Sequence, residues 1–298
     1  MAERINVNGR ITSPEDASVS PLDRGFLYGD SVYETIRTYG GRPFLLREHL
    51  ERLRRSAGHL GIPHERAPID VAAGIVETLA SAGNAESAVR VILSRGVGGI
   101  GYDTDACGPP TVVIHVRPCP EIPASWRREG IDVAIVDVTR NPSSAVDPAI
   151  KSSNLLNNLL AWQAGNRLRV FEPILPNARG RLTEGATSNL FLVRGSRLST
   201  PTLESGLLRG ITRDLVLELA RADGVATAEE EVAPDDLRGA DEAFLTSTLK
   251  GILPIRRCDG WPIREGRPGP LTRRLMDLFE ARVQVETKVG SEPGSILR

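Results

Sequence analysis

The amino-acid sequence predicts an α+β or α/β protein built from two domains. Segments rich in β-branched residues alternate with amphipathic segments of helical spacing, and a length of 298 residues suits two domains of ordinary size. A turn-rich stretch at 118–130, with three prolines and a glycine, separates two strong strand signals. We therefore expect a smaller N-terminal α+β domain at 1–120, a linker at 121–130, and a larger domain at 131–298 that ends in a loose tail.

Hydrophobic spacing assigns the elements of the first domain in order. Leu46, Leu50 and Leu53 recur at helical spacing with arginine and glutamate between them, which indicates an amphipathic helix. Pro68 and Gly83 bracket a second helix, because proline favours a first turn and glycine follows a last one. The predicted elements are strands at 4–8, 32–38 and 43–46, helices at 47–59 and 68–81, and strands at 88–95 and 111–117.

The second domain is predicted to begin with a well-buried strand at 131–138, which is rich in valine and isoleucine. Amphipathic helices follow at 153–165, 211–222 and 270–284. The first of these helices carries one apolar stripe, the pattern of a helix that packs on a core: Leu155, Leu156, Leu159, Leu160 and Ala164.

Charge and apolar patterning exclude several classes of protein. The chain carries 37 Lys+Arg and 38 Asp+Glu, a net charge of −1, so it lacks the basic surface that a nucleic-acid-binding protein needs. The N-terminal sequence has no apolar core typical of a signal peptide, and no segment reaches the length of a membrane span. We expect a soluble, cytoplasmic protein that binds neither nucleic acid nor membrane.

Metal and dinucleotide sites are also disfavoured. The three cysteines and four histidines show no metal-ligand spacing, so a zinc enzyme and a cysteine protease are unfavoured interpretations. Gly96, Gly98 and Gly101 match the dinucleotide-binding pattern, but residues 102–110 cannot form the helix that must follow it. We interpret this segment as a glycine-rich loop between two antiparallel strands, bordering a pocket.

Lysine is rare in this chain, which makes each lysine a candidate for chemistry that arginine cannot perform. Only Lys151, Lys250 and Lys288 occur among the basic residues. Lysine can become a neutral nucleophile, whereas arginine stays protonated in proteins. Lys151 lies between an extended segment and the start of a helix, where it could either hold a substrate covalently or be merely solvated.

Three further segments carry polar groups that can be interpreted together with Lys151. Glu184 precedes a short apolar strand and could either face water or pair with a cationic ring nitrogen. The sequence Gly210–Arg213 opens a helix and could bind phosphate, or Thr212 could be an ordinary cap. Ser247 and Thr248 end a strand and offer further donors. A lysine, a carboxylate and a phosphate site are the groups that pyridoxal 5'-phosphate requires.

With these segments the sequence resembles the class IV (fold type IV) pyridoxal-phosphate enzymes, which include branched-chain and D-amino-acid aminotransferases and aminodeoxychorismate lyase. The resemblance covers about residues 4–284. It implies a D-amino-acid-aminotransferase-like fold, a β-barrel-like cofactor-binding second domain with helices, bound pyridoxal 5'-phosphate and a homodimer. Its motifs are DRGFLYGDSVYETIRTYGGRPFLLREHLERL, IKSSNLLNNLLA, TEGATSNLFLV, GITRDLVLELA, ADEAFLTST and GRPGPLTRRL.

The resemblance also implies site residues. Lys151 matches the lysine that holds the cofactor covalently, and Glu184 matches the partner of the pyridine nitrogen. The remaining matches are phosphate contacts: Arg52, Ile211, Thr212 and Thr248.

The subtype within the family is left open by the residues of the substrate pocket. Many branched-chain members carry tyrosine at the position of Leu155. This chain carries leucine there, as D-amino-acid aminotransferases do. Ile100 replaces an arginine that the lyases and the D-amino-acid enzymes carry in the glycine-rich loop. Arg90 matches a pocket arginine of branched-chain enzymes, which favours that subtype. We expect an apolar substrate side chain. The candidate partners of the substrate carboxylate are Arg90, Tyr33, the backbone around Thr248 and Leu249, and Arg37.

The expected function is transamination between an amino acid and a 2-keto acid by a ping-pong mechanism, with L or D chirality undetermined. The alternative enzyme is aminodeoxychorismate lyase, which gives 4-aminobenzoate and pyruvate. A binding protein without activity on the same scaffold is a third possibility, disfavoured because Lys151, Glu184, Arg52 and Thr212 occur together.

Overall fold

The computed structural model describes residues 2–289, which form two compact units. The first unit comprises the described residues up to Pro120, the short segment Ile150–Asn154 and the end of the described chain from Val283. The second comprises Glu121–Ala149 and Leu155–Arg282. The segment around Lys151 is therefore grouped with the first unit, although the chain before and after it belongs to the second.

The first unit is a six-stranded sheet with helices. Its strand order is β2-β1-β6-β5-β3-β4 and every pairing is antiparallel. The elements are β1 (Arg4–Val7), β2 (Arg10–Thr12), α1 (Arg24–Tyr28), β3 (Ser31–Tyr39), β4 (Arg42–Pro43), α2 (Leu46–His59), α3 (Val71–Ala82), β5 (Ser87–Ser94) and β6 (Thr111–Pro118).

Alternation along the strands gives this sheet one buried and one more open face. On β3 the side chains of Val32, Glu34 and Ile36 are buried, whereas Tyr33 and Arg37 are partly exposed. The buried face joins α2 and α3 in one apolar core. The other face is available to polar side chains.

The glycine-rich segment connects the antiparallel strands β5 and β6, as predicted. Gly96 has a φ of +98°, and a Cβ at this position would overlap the carbonyl oxygen of Pro109. Glycine is required here because the two ends of the loop approach each other closely. The chain returns directly into β6, so the loop is not a dinucleotide-binding turn.

The second unit contains most of the helical residues and a nine-stranded sheet. A short helix lies inside the segment 121–130, which was expected to be a linker. The elements are α4 (Ala124–Glu129), β7 (Ile131–Ile135), α5 (Leu156–Leu168), β8 (Glu172–Pro176), β9 (Leu182–Gly185), β10 (Asn189–Arg194), β11 (Arg197–Pro201), α6 (Ile211–Ala222), β12 (Ala226–Glu230), α7 (Pro234–Arg238), β13 (Glu242–Ser247), β14 (Gly251–Cys258), β15 (Trp261–Pro262) and α8 (Pro270–Val289). The part of α8 that begins at Val283 is grouped with the first unit.

Six of these strands close into a barrel. The sheet order runs β10-β13-β14-β7-β8-β9, and β9 pairs again with β10 through the register pair Glu184 and Asn189. The β-barrel-like second domain is thus confirmed. The interior is filled by apolar side chains such as Leu190, Leu245 and Leu253, all of which are buried.

Helix α5 contradicts the predicted inward stripe. Leu156, Leu159 and Leu160 are 68%, 55% and 47% exposed. The helix instead buries Ala161 and Gly165, and a Cβ at Gly165 would already contact Pro173. Close approach to β8 requires small residues on the inner face, so the leucines are turned outward.

Several predicted boundaries also shift. Helix α3 starts at Val71 rather than 68, because the side chain of Asp70 accepts the N–H of Ala73 as an N-terminal cap. The strand predicted to end at 138 ends at Ile135. The predicted tail at 288–298 overlaps the last two residues of α8, and its remainder lies outside the described residues. Along residues 2–289, no helix combines the length and the apolarity needed to cross a membrane.

Candidate active site

Backbone hydrogen bonds fix Lys151 beside the N-terminal end of strand β3. Tyr33 N donates to Lys151 O at 2.9 Å, and Ser153 N donates to Ser31 O at 2.9 Å. Lys151 N donates to Ser56 Oγ on α2 at 3.2 Å. Lys151 therefore extends from a segment held on both sides, which suits an amine that must keep one position.

Tyr33 brings together two basic candidates on the open face of the sheet. The Nζ atom of Lys151 lies 4.4 Å from the centre of the Tyr33 ring, and the guanidinium carbon of Arg90 lies 3.8 Å from it. Arg90 is opposite Thr35 in the β3–β5 register, so its side chain leaves the sheet on the same side as Tyr33. The side chain of Arg90 therefore lies on the same face of the sheet as the Lys151 amine.

Arg37 shares the open face but lies further along β3. Its guanidinium carbon is 4.5 Å from the centre of the Tyr39 ring. Among the candidates for substrate binding in the first unit, Tyr33 and Arg90 thus lie beside Lys151, whereas Arg37 stacks on another aromatic ring.

Arg52 belongs to a buried charge cluster on the opposite face of the sheet. Arg52 donates through Nε and Nη2 to the two carboxylate oxygens of Glu34 at 2.6 and 2.8 Å, and His49 Nδ1 donates to Glu34 at 2.7 Å. Burial opposes ionisation of Glu34, but Arg52 and His49 outweigh it and hold its pKa at about 2. Complete burial lowers the pKa of His49. The cluster fixes the orientation of the Arg52 guanidinium.

Glu184 is buried in the barrel wall and held by several donors. Arg140 Nε donates to its Oε1 at 2.9 Å, and the backbone N–H of Leu208 donates to its Oε2 at 3.2 Å. The side-chain amide of Asn189 lies 3.4 Å from the same oxygen. The alternative in which Glu184 faces water is wrong, because its residue exposure is 5%.

Arg140 is the residue of this site that sequence reasoning missed. Its Nη1 donates to the side-chain oxygens of Asn157 and Asn158 at 3.1 and 3.2 Å. These two amides face inward on α5, opposite to the exposed leucines. Arg140 follows the last residue of β7 by five positions in an irregular segment, where no periodicity indicates which side chains turn inward.

The start of α6 leaves its N–H groups without a side-chain cap among the described residues. Gly210 is required at this position because a Cβ would overlap Oδ1 of Asn189. Thr212 is buried, and Ile211 begins the helix. Arg213 does not take part, since its buried guanidinium donates to Pro201 O at 3.0 Å and to Glu229 at 2.7 Å.

Thr248 and Leu249 lie in the tight turn between β13 and β14. Ser247 pairs with Gly251 across this turn, and both candidates are partly exposed. The second unit thus contains Glu184, Ile211, Thr212, Thr248 and Leu249, and the first unit contains Lys151, Arg52, Tyr33, Arg90 and Arg37.

Comparison with known proteins identifies the family. Residues 31–258 match the family described as amino-transferase class IV. A Methanocaldococcus jannaschii protein assigned as a branched-chain-amino-acid aminotransferase is 37% identical over 96% of this chain and 98% of its own. The D-alanine aminotransferase of Bacillus licheniformis is 31% identical over 95% of this chain and 98% of its own.

A solved structure agrees with these sequence relatives. The branched-chain amino acid aminotransferase of T.th., determined with pyridoxamine 5'-phosphate, superposes with a TM-score of 0.88 at 29% identity. The match covers 95% of this chain and 94% of that chain. The family match over residues 31–258 and the structural match over 95% of the chain agree with the closed barrel. The protein therefore belongs to the class IV aminotransferases, the fold type IV transaminases that use pyridoxal 5'-phosphate.

Proposed function

We propose that this transaminase moves the amino group of an amino acid with an apolar side chain, including the branched-chain amino acids, to a 2-keto acid. The observation that carries the proposal is the shared contact of Arg90 and Lys151 with the Tyr33 ring. A guanidinium can hold a substrate carboxylate by paired hydrogen bonds, and the amine beside it can then reach the substrate Cα.

The residues of the second unit fit pyridoxal 5'-phosphate. The uncapped first turn of α6 presents N–H groups, and buried Thr212 lies within it, which is the arrangement that binds phosphate. Glu184 is a buried carboxylate with fixed orientation, suitable for a cationic ring nitrogen. Arg52, Ile211 and Thr248 are proposed as the other phosphate contacts, on the strength of their match to the family motifs.

In the proposed reaction each residue has a separate task. When bound, pyridoxal 5'-phosphate supplies an electron-accepting ring and a carbon that receives the amino group. Lys151 would move a proton between the substrate Cα and the C4′ position of the cofactor. Glu184 retains the proton on the ring nitrogen, and Arg90 with Tyr33 orients the carboxylate. The backbone around Thr248 and Leu249 offers further donors.

Substrate preference rests on two apolar positions and on the relatives. Leu155 and Ile100 replace polar residues of other subtypes, and Ile100 lies exposed on the glycine-rich loop. The relatives are named for branched-chain amino acids and for D-alanine. We infer a preference for apolar side chains, with chirality to be determined.

A substrate panel tests this function. L- and D-amino acids are assayed with 2-oxoglutarate and with pyruvate as acceptors, and ping-pong kinetics with an apolar donor are expected. Release of pyruvate and 4-aminobenzoate from aminodeoxychorismate without any acceptor would assign the lyase instead. Absence of turnover by protein that binds the cofactor would contradict transamination.

We also propose a homodimer, supported by the outer face of α5. Leu156, Leu159 and Leu160 form an exposed apolar patch at helical spacing, and such patches favour contact with another protein surface. Light scattering should give twice the chain mass of 32.2 kDa for the wild type and a lower mass for Leu156→Glu/Leu160→Glu. Trp261→Gln, at an exposed position of β15, is the control. A monomeric wild type would contradict the proposal.

We also propose a cytoplasmic location and separate roles for the two units. The first unit is proposed as the smaller domain and the second as the cofactor-binding domain.

A further inference from the structure

Glu172 is a completely buried carboxylate outside the set of residues considered so far. It begins β8, and its Oε1 accepts the N–H of Thr187 at 2.6 Å and the hydroxyls of Thr187 and Ser188 at 2.9 and 3.1 Å. Its Oε2 accepts from Lys250 Nζ at 3.2 Å. A buried charge is tolerated only when it is paired and hydrogen-bonded, and the Glu172 carboxylate satisfies this condition. We call the group that it forms with Thr187, Ser188 and Lys250 the Glu172 cluster.

The Glu172 cluster determines the shape of the turn that follows Glu184. Thr187 and Ser188 lie in the three-residue connection from β9 to β10. Glu184 is the penultimate residue of β9, and Asn189 is the first residue of β10. Gly185 has no room for a side chain, because a Cβ would overlap the Ser188 hydroxyl and lie 2.9 Å from Glu172 Oε1. The turn is thus folded tightly around the carboxylate of Glu172, and this packing limits how far Glu184 can move.

Lys250 connects the same carboxylate to a second turn. It follows Thr248 and Leu249 directly in the connection from β13 to β14. Its Nζ donates to Thr187 Oγ1 at 3.1 Å and lies 4.9 Å from the centre of the Phe171 ring. One amine therefore joins the turn of Thr248 to the turn of Glu184.

We propose that the Lys250–Glu172 ion pair is a positioning element of the cofactor site, which sets Glu184 and Thr248 in register with each other. The inference rests on the proposed roles of those two residues. Lys250 acts through its neighbours and does not replace Lys151 as the reactive lysine. Its loss leaves the Glu172 carboxylate without its cation, and the two turns lose their common anchor.

Cofactor affinity and turnover give the test. Lys250→Met should raise the dissociation constant for pyridoxal 5'-phosphate, titrated into the apoenzyme, by at least ~10-fold, the scale on which outer groups that orient ligand-binding residues act. It should also lower kcat at saturating cofactor, whereas Lys250→Arg, which keeps the charge, should recover most of both losses. Glu172→Gln should resemble Lys250→Met, and the double variant should be no worse than the more affected single variant.

Two further variants separate positioning from simple stabilisation. Arg256→Met removes another ion pair of the barrel, in which Arg256 Nε lies 2.7 Å from Asp132, and should leave the cofactor dissociation constant within ~2-fold of the wild type. If Lys250→Met does not fold, Thr187→Val, at an exposed turn position, removes one donor and should still weaken cofactor binding. Normal cofactor affinity and kcat in the folded Lys250 or Thr187 variant would overturn the inference. A wild type that binds no cofactor would instead refute the proposed function.

Discussion

Arg140 and Glu184 form a buried ion pair, with Nε of Arg140 2.9 Å from Oε1 of Glu184. The same guanidinium donates to Asn157 and Asn158 on α5. The carboxylate proposed to meet the cofactor ring is therefore anchored to a helix as well as to its own strand. This anchoring predicts that Arg140 matters for both stability and catalysis.

Arg140→Met should lower the free energy of unfolding by about 3–5 kcal/mol, because it leaves the buried Glu184 carboxylate without its cation. It should also reduce kcat by ~10-fold or more, since one fixed donor to Glu184 is lost. Urea unfolding and steady-state kinetics measure the two effects. Arg127→Met, which breaks the surface pair with Glu280, is the control and should change both by little. Wild-type kcat in Arg140→Met would show that Glu184 needs no such anchor.

Glu184→Gln should retain the fold and bind the cofactor but lose at least ~100-fold in turnover, on the scale of removing a preorganised electrostatic partner. A neutral amide cannot stabilise the proton on the ring nitrogen. Single-turnover measurements at saturating cofactor isolate this step. Unchanged turnover would mean that the ring proton is held by another group.

Lys151 should be the lysine that becomes labelled when holoenzyme is reduced with borohydride. Peptide mapping after reduction should recover the cofactor on the peptide that contains residue 151. Lys151→Ala should abolish transamination. Recovery of the label on Lys250 would refute both the assignment of Lys151 and the positioning role proposed for Lys250.

Arg90→Ala should impair amino acids while sparing an apolar amine that has no carboxylate. A paired arginine–carboxylate contact contributes about 1.5–3 kcal/mol, so kcat/KM for amino acids should fall roughly 10- to 150-fold. Arg37→Ala, on the same sheet face but stacked on Tyr39, is the matched comparison and should have the smaller effect. Equal losses for amines and amino acids would assign Arg90 a structural role.

Acid should destabilise the native state through Glu34. Its native pKa of about 2 lies below the ordinary 4.5, so the unfolded state binds the extra proton between these values. The contribution of Glu34 to the free energy of unfolding is therefore fully present above pH 4.5. It decreases by roughly 3 kcal/mol as the pH falls through 2. The lowered pKa of His49 also decreases the free energy of unfolding as the pH falls below 6.5, because the unfolded state then binds the extra proton.

Urea unfolding at a series of pH values, with saturating cofactor, measures this dependence. Glu34→Gln should be less stable at neutral pH and should lose the slope between pH 4.5 and 2. A variant with the wild-type slope in that range would show that other carboxylates cause it.

The sequence predicted the elements whose ends carry local signals. Helix α6 runs over Ile211–Ala222 as predicted, because Gly210 and Gly224 bracket a clear apolar periodicity. Lys151 and Glu184 were recognised because their chemistry is specific and their neighbours match family motifs. Their proposed roles remain predictions.

The remaining features depend on tertiary packing. The α5 leucines have helical spacing, but this periodicity does not indicate which part of the protein the leucine face contacts. The close approach of α5 to Pro173 at Gly165 excludes large side chains from the inner face of the helix. Arg140 lies in an irregular segment, and Glu34 occupies a β3 position where alternation predicts an apolar residue. A polar side chain at a core position becomes interpretable only when its partners are known.

The pairing that closes the barrel has a consequence for assembly of the enzyme. Strand β9 meets β10 through a single register pair, and one of its members is Glu184. The cofactor site proposed for the second unit is therefore complete only when this pairing has formed. A cofactor that binds the closed barrel and not the open chain adds RT ln(1 + [L]/Kd) to the free energy of unfolding, about 2.7 kcal/mol at a hundred times Kd. Cofactor supply during synthesis should therefore influence how much of this protein survives in a cell.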